Sequence, residues 1–221
     1  MSLLVKFFAL AFSALLPVIN PLGSAIVLLG VAGNAPGPVF RKLARKIAIR
    51  TTFFLLAVEL VGTALLEFFG ISLPVVQVAG GLVLATIGWS LLNQQEPETS
   101  ADQAQVTETS FESLQQKIFY PLTFPLTAGP GCIVVMLTLA AQATRKSIID
   151  EVMTHLGIFL AAVILSLIVF LCYGYAPKIT ERISAQTAHG ILRVIAFVLL
   201  CIGVQITWNG AEALLKTVLR P

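Results

Sequence analysis

Residues 16–23 have the sequence LPVINPLG, and they lie inside an apolar segment about 30 residues long. A helix of that length would measure roughly 45 Å, whereas the hydrocarbon core of a bilayer is about 30 Å thick. Pro17 and Pro21 each remove a backbone donor and disfavour helical geometry at the preceding residue. We therefore expect the chain to unwind between Leu16 and Asn20, with Asn20 as the N-cap of a second half-helix that starts at Pro21.

A similar stretch, FPLTAGPG, occupies residues 124–131 in a later apolar segment. Pro125 interrupts the helix there, Gly129 can adopt the cap geometry, and Pro130 can restart the helix ahead of Gly131. Irregular backbone is tolerated inside a membrane only where it is buried in protein or lines a cavity. Two half-helices are therefore expected to begin at mid-membrane and to share one site.

The composition of the whole chain is that of a membrane protein. Of its 221 residues, 57% are hydrophobic and 11% are charged, and its mean hydropathy of +0.92 lies above the range of water-soluble domains. Six apolar segments follow one another at residues 4–33, 46–69, 73–93, 118–140, 155–175 and 191–215. We predict an all-α polytopic membrane protein with six transmembrane helices, which leaves no room for a second soluble domain.

An acidic stretch without basic residues, 94–116, separates the chain into two parts, 1–93 and 117–221. Its composition cannot bury a core, so we interpret it as a solvated linker. Each part contains three apolar segments, and the two proline-rich stretches occupy the first segment of each part. A second set of matches lies in the third segment of each part: Val83, Leu84, Ile87 and Gly88 correspond to Val198, Leu199, Ile202 and Gly203.

These matches indicate a duplicated three-span unit. Because the number of spans per unit is odd, the second copy must enter the membrane from the opposite side. The sequence thus predicts two inverted three-helix repeats, with the first and fourth spans broken, which is a common plan among transporters.

The basic residues predict the orientation through the positive-inside rule. One predicted face carries most of them, namely Arg41, Lys42, Arg45, Lys46, Arg50, Lys117, Lys178, Arg182 and Arg193. The other face carries Lys6, Arg145, Lys146, Lys216 and Arg220. We therefore expect a cytoplasmic linker and two periplasmic termini.

The expected site has a definite chemical character. Helix N-termini favour an anionic group such as a carboxylate, and the carbonyls freed at the breaks suit an ammonium or a cation, so a small zwitterion satisfies both. Two other interpretations stay open: proline kinks that only pack against neighbours, and a channel, because an Asn-Pro pair at a mid-membrane half-helix also occurs in water channels. Against the channel, the second repeat lacks a matching Asn.

Several motifs resemble the MarC family of bacterial inner-membrane proteins. They are NPLG at 20–23, VAGG at 78–81, PLTAGPG at 125–131 and the ending GVQ at 203–205 followed by Asn209-Gly210. The resemblance implies six spans in two inverted repeats, location in the bacterial inner membrane and, for some members, transport of small neutral amino acids such as alanine and glycine. The candidate substrate-binding residues are Pro17, Asn20, Pro21, Gly23, Thr127, Ala128, Gly129, Pro130 and Gly131.

Other functional classes find little support in the sequence. No P-loop, HExxH, GxSxG or paired-carboxylate pattern occurs, so we expect no enzymatic activity, cofactor or metal. The three cysteines lie in apolar segments without CxxC spacing and indicate buried small side chains. Nucleic acid is not an expected partner because the basic residues do not form one patch. The expected partners are the lipid bilayer and the solute, and the further candidates are a coupling proton or sodium ion and a second copy of the chain.

A few polar or small residues within the spans allow two interpretations. Gly80, Gly81, Ala85 and Gly88 have a spacing that is typical of close helix packing. Gln205, Thr207 and Asn209 can belong to a site or to the membrane interface beside Trp208. His155 and His189 come at the starts of apolar segments and are expected at the interface.

Glu59 is the only ionisable residue between Thr51 and Leu66, near the middle of the second apolar segment. A charged carboxylate is costly there, so it must be neutralised. Arg50 is too distant along the helix, at about 13 Å. Glu59 is therefore either a structural bridge between helices or a candidate coupling residue that takes up a proton.

Overall fold

A computed structural model of the protein describes residues 2–33, 35–93, 115–143, 147–178 and 185–219, with only the backbone at 185, 186, 188 and 189. Nearly all of the predicted linker, residues 94–114, lies outside the described residues, as do the side chain of His189 and the loop residues 144–146 and 179–184. Within the described part of the chain, the secondary structure is helical and contains no strand.

Seven helices and one irregular segment make up the described structure. In chain order they are α1 (Leu3–Ile19), α2 (Pro21–Ala32), α3 (Gly37–Phe68), α4 (Leu73–Leu92), the irregular segment Ile118–Thr127, α5 (Pro130–Ala143), α6 (Ile148–Gly174) and α7 (Ala185–Leu219). Five spans are long and apolar enough to cross a membrane, and the bent pair formed by the irregular segment and α5 brings the number to six. The predicted all-helical, multi-span architecture is thus confirmed. Its inverted arrangement stays a prediction.

The first span, α1 with α2, is interrupted at one residue only. Asn20 adopts a left-handed conformation, with φ 45° and ψ 63°, while its N–H still donates to the Leu16 carbonyl at 3.0 Å. The expected unwinding from Leu16 to Asn20 is therefore wrong in its extent. Pro17 remains within α1, because a proline costs the helix one hydrogen bond at its own position and the next turn can close around it.

The fourth span is irregular over a longer stretch than expected. The sequence YPLTFPLT (residues 120–127) repeats one four-residue pattern, and both Tyr120 (φ −119°, ψ 125°) and Phe124 (φ −121°, ψ 128°) are extended. A residue before proline is driven from the helical region into this conformation, so Pro121 contributes to the break as well as Pro125. The axis bends by 64° between this segment and α5.

Helix α6 lies at the centre of the main core and packs on α1, α2 and α3. Its buried face carries small residues at Gly157, Ala161 and Ala162. A Cβ atom at Gly157 would lie 2.5 Å from the Leu4 carbonyl oxygen, so α1 and α6 approach each other closely.

A second tight pair is formed by α4 and α7. A Cβ atom at Gly88 would lie 2.6 Å from the Leu200 nitrogen, and one at Gly210 would lie 2.6 Å from the Pro74 carbonyl oxygen. The predicted packing role of the small residues in the third span is therefore confirmed.

The helices of the second and fifth spans, α3 and α6, begin earlier in the sequence than the apolar segments that predict them. The added first turns of α3 are amphipathic, with Phe40, Leu43 and Ile47 buried and Arg41 and Arg45 exposed. Basic residues end an apolar run in the sequence, but they do not end a helix whose other face is buried.

Candidate functional site

The breaks of the first and fourth spans lie side by side. Ser24 in the first turn of α2 places its Oγ 3.3 Å from the Leu126 carbonyl oxygen of the fourth span and 3.2 Å from the Ile19 carbonyl oxygen at the end of α1. A Cβ atom at Gly131, in the first turn of α5, would lie 3.0 Å from Cγ1 of Val18. The two breaks are thus neighbours: the first turn of α2 contacts the irregular segment, and the first turn of α5 contacts the end of α1.

Asn20 caps α2 through its own side chain. Its Oδ1 accepts a hydrogen bond from the Gly23 N–H at 3.1 Å, which satisfies a backbone donor of the first turn. A Cβ atom at Gly23 would lie 2.8 Å from Asn20 Cγ and 2.8 Å from Leu192 Cδ2. Only glycine therefore fits between the cap and α7, and Pro21 at the start of α2 is buried as well.

Three buried hydroxyl groups, Ser24, Thr127 and Tyr173, meet at this junction, and we refer to them as the hydroxyl cluster. Thr127 Oγ1 donates to the Leu122 carbonyl at 2.6 Å, so it accepts the hydrogen bond from the Tyr173 hydroxyl at 2.8 Å. Ser24 lies close to the same phenol. Thr127 and Tyr173 are 0% exposed and Ser24 is 6% exposed. The sequence predicted Thr127 as a site residue but gave no sign of Ser24 or Tyr173.

Hydroxyl groups also bond backbone carbonyls at the two breaks. In the irregular segment Thr123 Oγ1 donates to the Ile118 carbonyl at 2.7 Å, and Thr127 repeats the pattern one turn later. Such partners are required at membrane depth, where water cannot serve. A hydroxyl can exchange one partner for another because it both donates and accepts.

The remaining predicted residues of the fourth span occupy different environments. Ala128 is buried, and the Gly129 carbonyl accepts from the Cys132 N–H at 3.0 Å, so that Gly129 precedes the first turn of α5 as predicted. Gly131 packs against Leu84 of α4. Pro130 is exposed.

A groove of about 360 Å³ adjoins the Asn20 break between the first, fifth and sixth spans. Asn20 contributes the only amide or hydroxyl side chain among the residues that line it, which are Leu16, Pro17, Asn20, Pro21, Leu22, Ile168, Cys172, Val194, Ile195 and Val198. This groove gives an opening beside the junction, while the hydroxyl cluster itself is closed from the surface.

Glu59 forms a hydrogen-bonded pair with His155. Its Oε1 lies 3.0 Å from His155 Nδ1, and the two side chains are 2% and 30% exposed, respectively. His155 lies in the second turn of α6 and faces α3, and its expected position at the membrane interface stays a prediction. Glu59 lies between the middle of α3 and its Phe68 end, nine residues before Phe68.

The other polar residues of the sixth span have local partners. Gln205 donates to Asn209 Oδ1 at 2.8 Å on an exposed surface, and Thr207 donates to the Gly203 carbonyl at 2.9 Å. None of these three contacts the hydroxyl cluster in the described structure. The sequence gave no prediction for Gln77, whose amide donates to Thr138 Oγ1 at 3.3 Å between α4 and α5.

Comparison with known proteins agrees with this architecture. The chain matches the family described as MarC family integral membrane protein over residues 5–215. It is 30% identical over 220 residues to the inner membrane protein MarC of Escherichia coli O157:H7, covering 97% of this chain and 98% of the relative. It is 28% identical over 219 residues to the protein of the same name from Salmonella typhimurium, with 97% and 98% covered. No solved structure matches the chain. The protein is thus a multi-pass inner-membrane protein, and it belongs to the MarC family.

Proposed function

We propose that the protein is a secondary transporter of small neutral amino acids, or of similar small zwitterions, and that the junction of its two broken spans is the solute site. The observation that carries this proposal is the meeting of both breaks at one buried hydroxyl cluster. A single kinked span would need only packing to stabilise it. Ser24 links the two breaks, because its hydroxyl lies within hydrogen-bond distance of the carbonyls of both Ile19 and Leu126. Interrupted helices that meet in this way form the solute site of many transporters.

The chemistry of the junction suits a zwitterion. Helices α2 and α5 both begin at this junction, and N–H groups at helix starts favour a carboxylate. The carbonyls of Leu122 and Leu126 are held by hydroxyl groups in the closed state. An ammonium group can replace those hydroxyls when the site opens, because it donates to the same oxygens.

The packing of the spans is compatible with two inverted repeats at mid-membrane. The third and sixth spans pack on each other, the first packs on the fifth, and the second packs on the fourth. If the two repeats are interchanged, the contact between the first and fifth spans becomes the contact between the fourth and second spans. Each packed pair therefore has a counterpart. Alternating access then amounts to rocking one set of helices against the other around the junction. We propose a transport role without enzymatic activity or a bound cofactor.

Reconstitution of the purified protein into proteoliposomes tests this function. We expect saturable exchange of labelled alanine or glycine, and about a tenfold lower rate for Tyr173→Phe, which removes one hydroxyl from the cluster. Thr86→Val is the matched control, because Thr86 Oγ1 bonds only its own helix at the Leu82 carbonyl, 2.8 Å away on an exposed face.

Two results would contradict the proposal. Flux that rises linearly with the gradient and carries an ionic or osmotic current would identify a channel. Wild-type exchange by Tyr173→Phe at equal amounts of folded protein would show that the hydroxyl cluster is only a packing feature.

A further inference from the structure

The pair formed by Glu59 and His155 lies apart from the junction, on the interface between α3 and α6. Glu59 precedes Phe68 by nine residues, and His155 follows Ile148 by seven. At about 1.5 Å per residue, the pair therefore lies roughly 10–14 Å from the neighbouring ends of both helices. These ends lie on one face of the protein, because the opposite ends of the two helices also meet: a Cβ atom at Gly174 would lie 3.5 Å from Arg41 Cγ.

A groove of about 540 Å³ connects the pair with that face. It is lined by Leu56, Glu59, Leu60, Ile148, Glu151, Val152, His155, Leu156 and Phe159. Both members of the pair border the groove, and the imidazole is the partly exposed one while the carboxylate is buried. A proton can thus reach Glu59 through the ring, which carries one nitrogen towards the carboxylate and a second nitrogen away from it.

Few other charged groups surround the pair in the described structure. Glu151 lines the groove one turn before His155, and α5, which packs on α3, has no acidic, basic or histidine residue. The remaining charged residues near the outer turns of α1, α3 and α6 are exposed: Lys6, Glu67 and Asp150. Arg145 and Lys146 in the preceding loop lie outside the described residues.

The charge balance of the pair favours a proton as its ligand. When Glu59 is ionised and the His155 imidazole carries an additional proton, the pair has no net charge. Loss of that proton leaves a bare carboxylate in an apolar interface, which is costly unless water enters. Taking up and releasing the proton is therefore linked to whether the interface between α3 and α6 is closed or open.

We infer that Glu59 and His155 form the proton-binding site that couples solute movement to a proton gradient. This inference rests on the proposed function, because coupling requires a transported solute. It goes further by assigning the histidine as the entry point, the α3–α6 groove as the route, and a proton rather than a metal ion as the ligand.

Two assays on reconstituted full-length protein separate this inference from the proposed function. Exchange of labelled alanine at equal pH on both sides measures solute movement alone. Accumulation of labelled alanine under an imposed pH gradient measures coupling. We expect Glu59→Gln and His155→Gln each to keep exchange within about twofold of the wild type and to lose accumulation by about tenfold or more. Asp150→Asn, which removes an exposed carboxylate from the first turn of α6 outside the groove lining, should keep both activities.

The outcomes distinguish the two proposals. Accumulation that persists in both variants, or accumulation driven by sodium and insensitive to pH, overturns the coupling site and leaves the solute site intact. Absence of alanine and glycine exchange in the wild type overturns the proposed function, and the coupling site with it. If Glu59→Gln fails to fold, His155→Gln decides the matter, because His155 is the partly exposed member of the pair.

Discussion

Asn20 combines two properties at one position, and they can be separated. Its left-handed φ of 45° favours Gly or Asn, and its Oδ1 caps the Gly23 N–H. Asn20→Ala loses both properties and should lower the free energy of unfolding by about 2 kcal/mol, from the cap and the strained backbone together. Asn20→Gly loses only the cap and should cost about 0.5 kcal/mol or less.

Unfolding by sodium dodecyl sulfate in mixed micelles measures both values. Equal losses for the two variants would show that backbone geometry at Asn20 has no influence. In the exchange assay, we expect Asn20→Ala to reduce transport more than it reduces the amount of folded protein, because the cap borders the solute site.

Gly129 lies where the fourth span turns into α5. A Cβ atom there would lie 2.8 Å from the Pro125 carbonyl oxygen, so a side chain must displace the broken backbone itself. Gly129→Leu should therefore abolish alanine exchange while part of the protein still folds and inserts. The measurement is exchange per unit of monodisperse protein after size-exclusion chromatography. Exchange at the wild-type rate would mean that the fourth-span break takes no part in transport.

Residues whose role is local were predictable from the sequence, and residues whose role depends on distant contacts were not. The prolines that follow Asn20 and Gly129 indicate that these two residues are helix caps. Tyr173 bonds Thr127 from 46 residues away, and His155 bonds Glu59 from 96 residues away. Contacts between residues so far apart leave no periodic pattern in the sequence. Physical reasoning therefore required a partner for Glu59 but could not identify it as His155.

At the scale of elements, the tightest helix pair depends on glycines in α4 and α7. A Cβ atom at Gly88 would lie 2.6 Å from the Leu200 nitrogen and 2.9 Å from the Ala196 carbonyl oxygen, and backbone atoms cannot move aside as side chains do. Gly88→Ala should therefore push the helices apart and cost about 1–3 kcal/mol.

Gly30→Ala provides the matched control for Gly88→Ala. Gly30 lies within α2, and a Cβ atom there would meet no other part of the described structure within 4 Å. This variant should leave stability unchanged or raise it slightly, because alanine is the better helix former. Denaturation in mixed micelles compares the two variants, and equal effects would exclude backbone contact as the reason for the glycine in α4.

The elements themselves were predicted with one systematic error. Apolar content located every span, but it placed the helix starts of α3 and α6 too late, since the first turns of both helices contain charged residues. The positions of the prolines located both breaks, but they did not predict which proline lies within a regular helix. Pro17 lies within α1, whereas Pro121 and Pro125 follow extended residues.

For the molecule as a whole, orientation decides which compartment each end of the site faces. The basic residues that flank the first loop begin α3, and several of them, including Arg41, Lys42 and Arg45, are exposed. The positive-inside rule predicts that they lie in the cytoplasm, together with Lys178 after the fifth span and the acidic linker. Both termini, and the end of the groove that leads to Glu59 and His155, are then predicted to face the periplasm.

A reporter that fluoresces only in the cytoplasm tests this orientation. Fused after Pro221 it should stay dark, and inserted within the linker, after Ala104, it should be bright at equal expression. The two positions are separated by three spans, so an odd number of crossings requires them to give opposite results. Two bright reporters would break the three-plus-three division on which the inverted repeat depends. A bright terminus with a dark linker would keep that division but reverse the protein, and protons from the periplasm would then have no route to Glu59 through the groove.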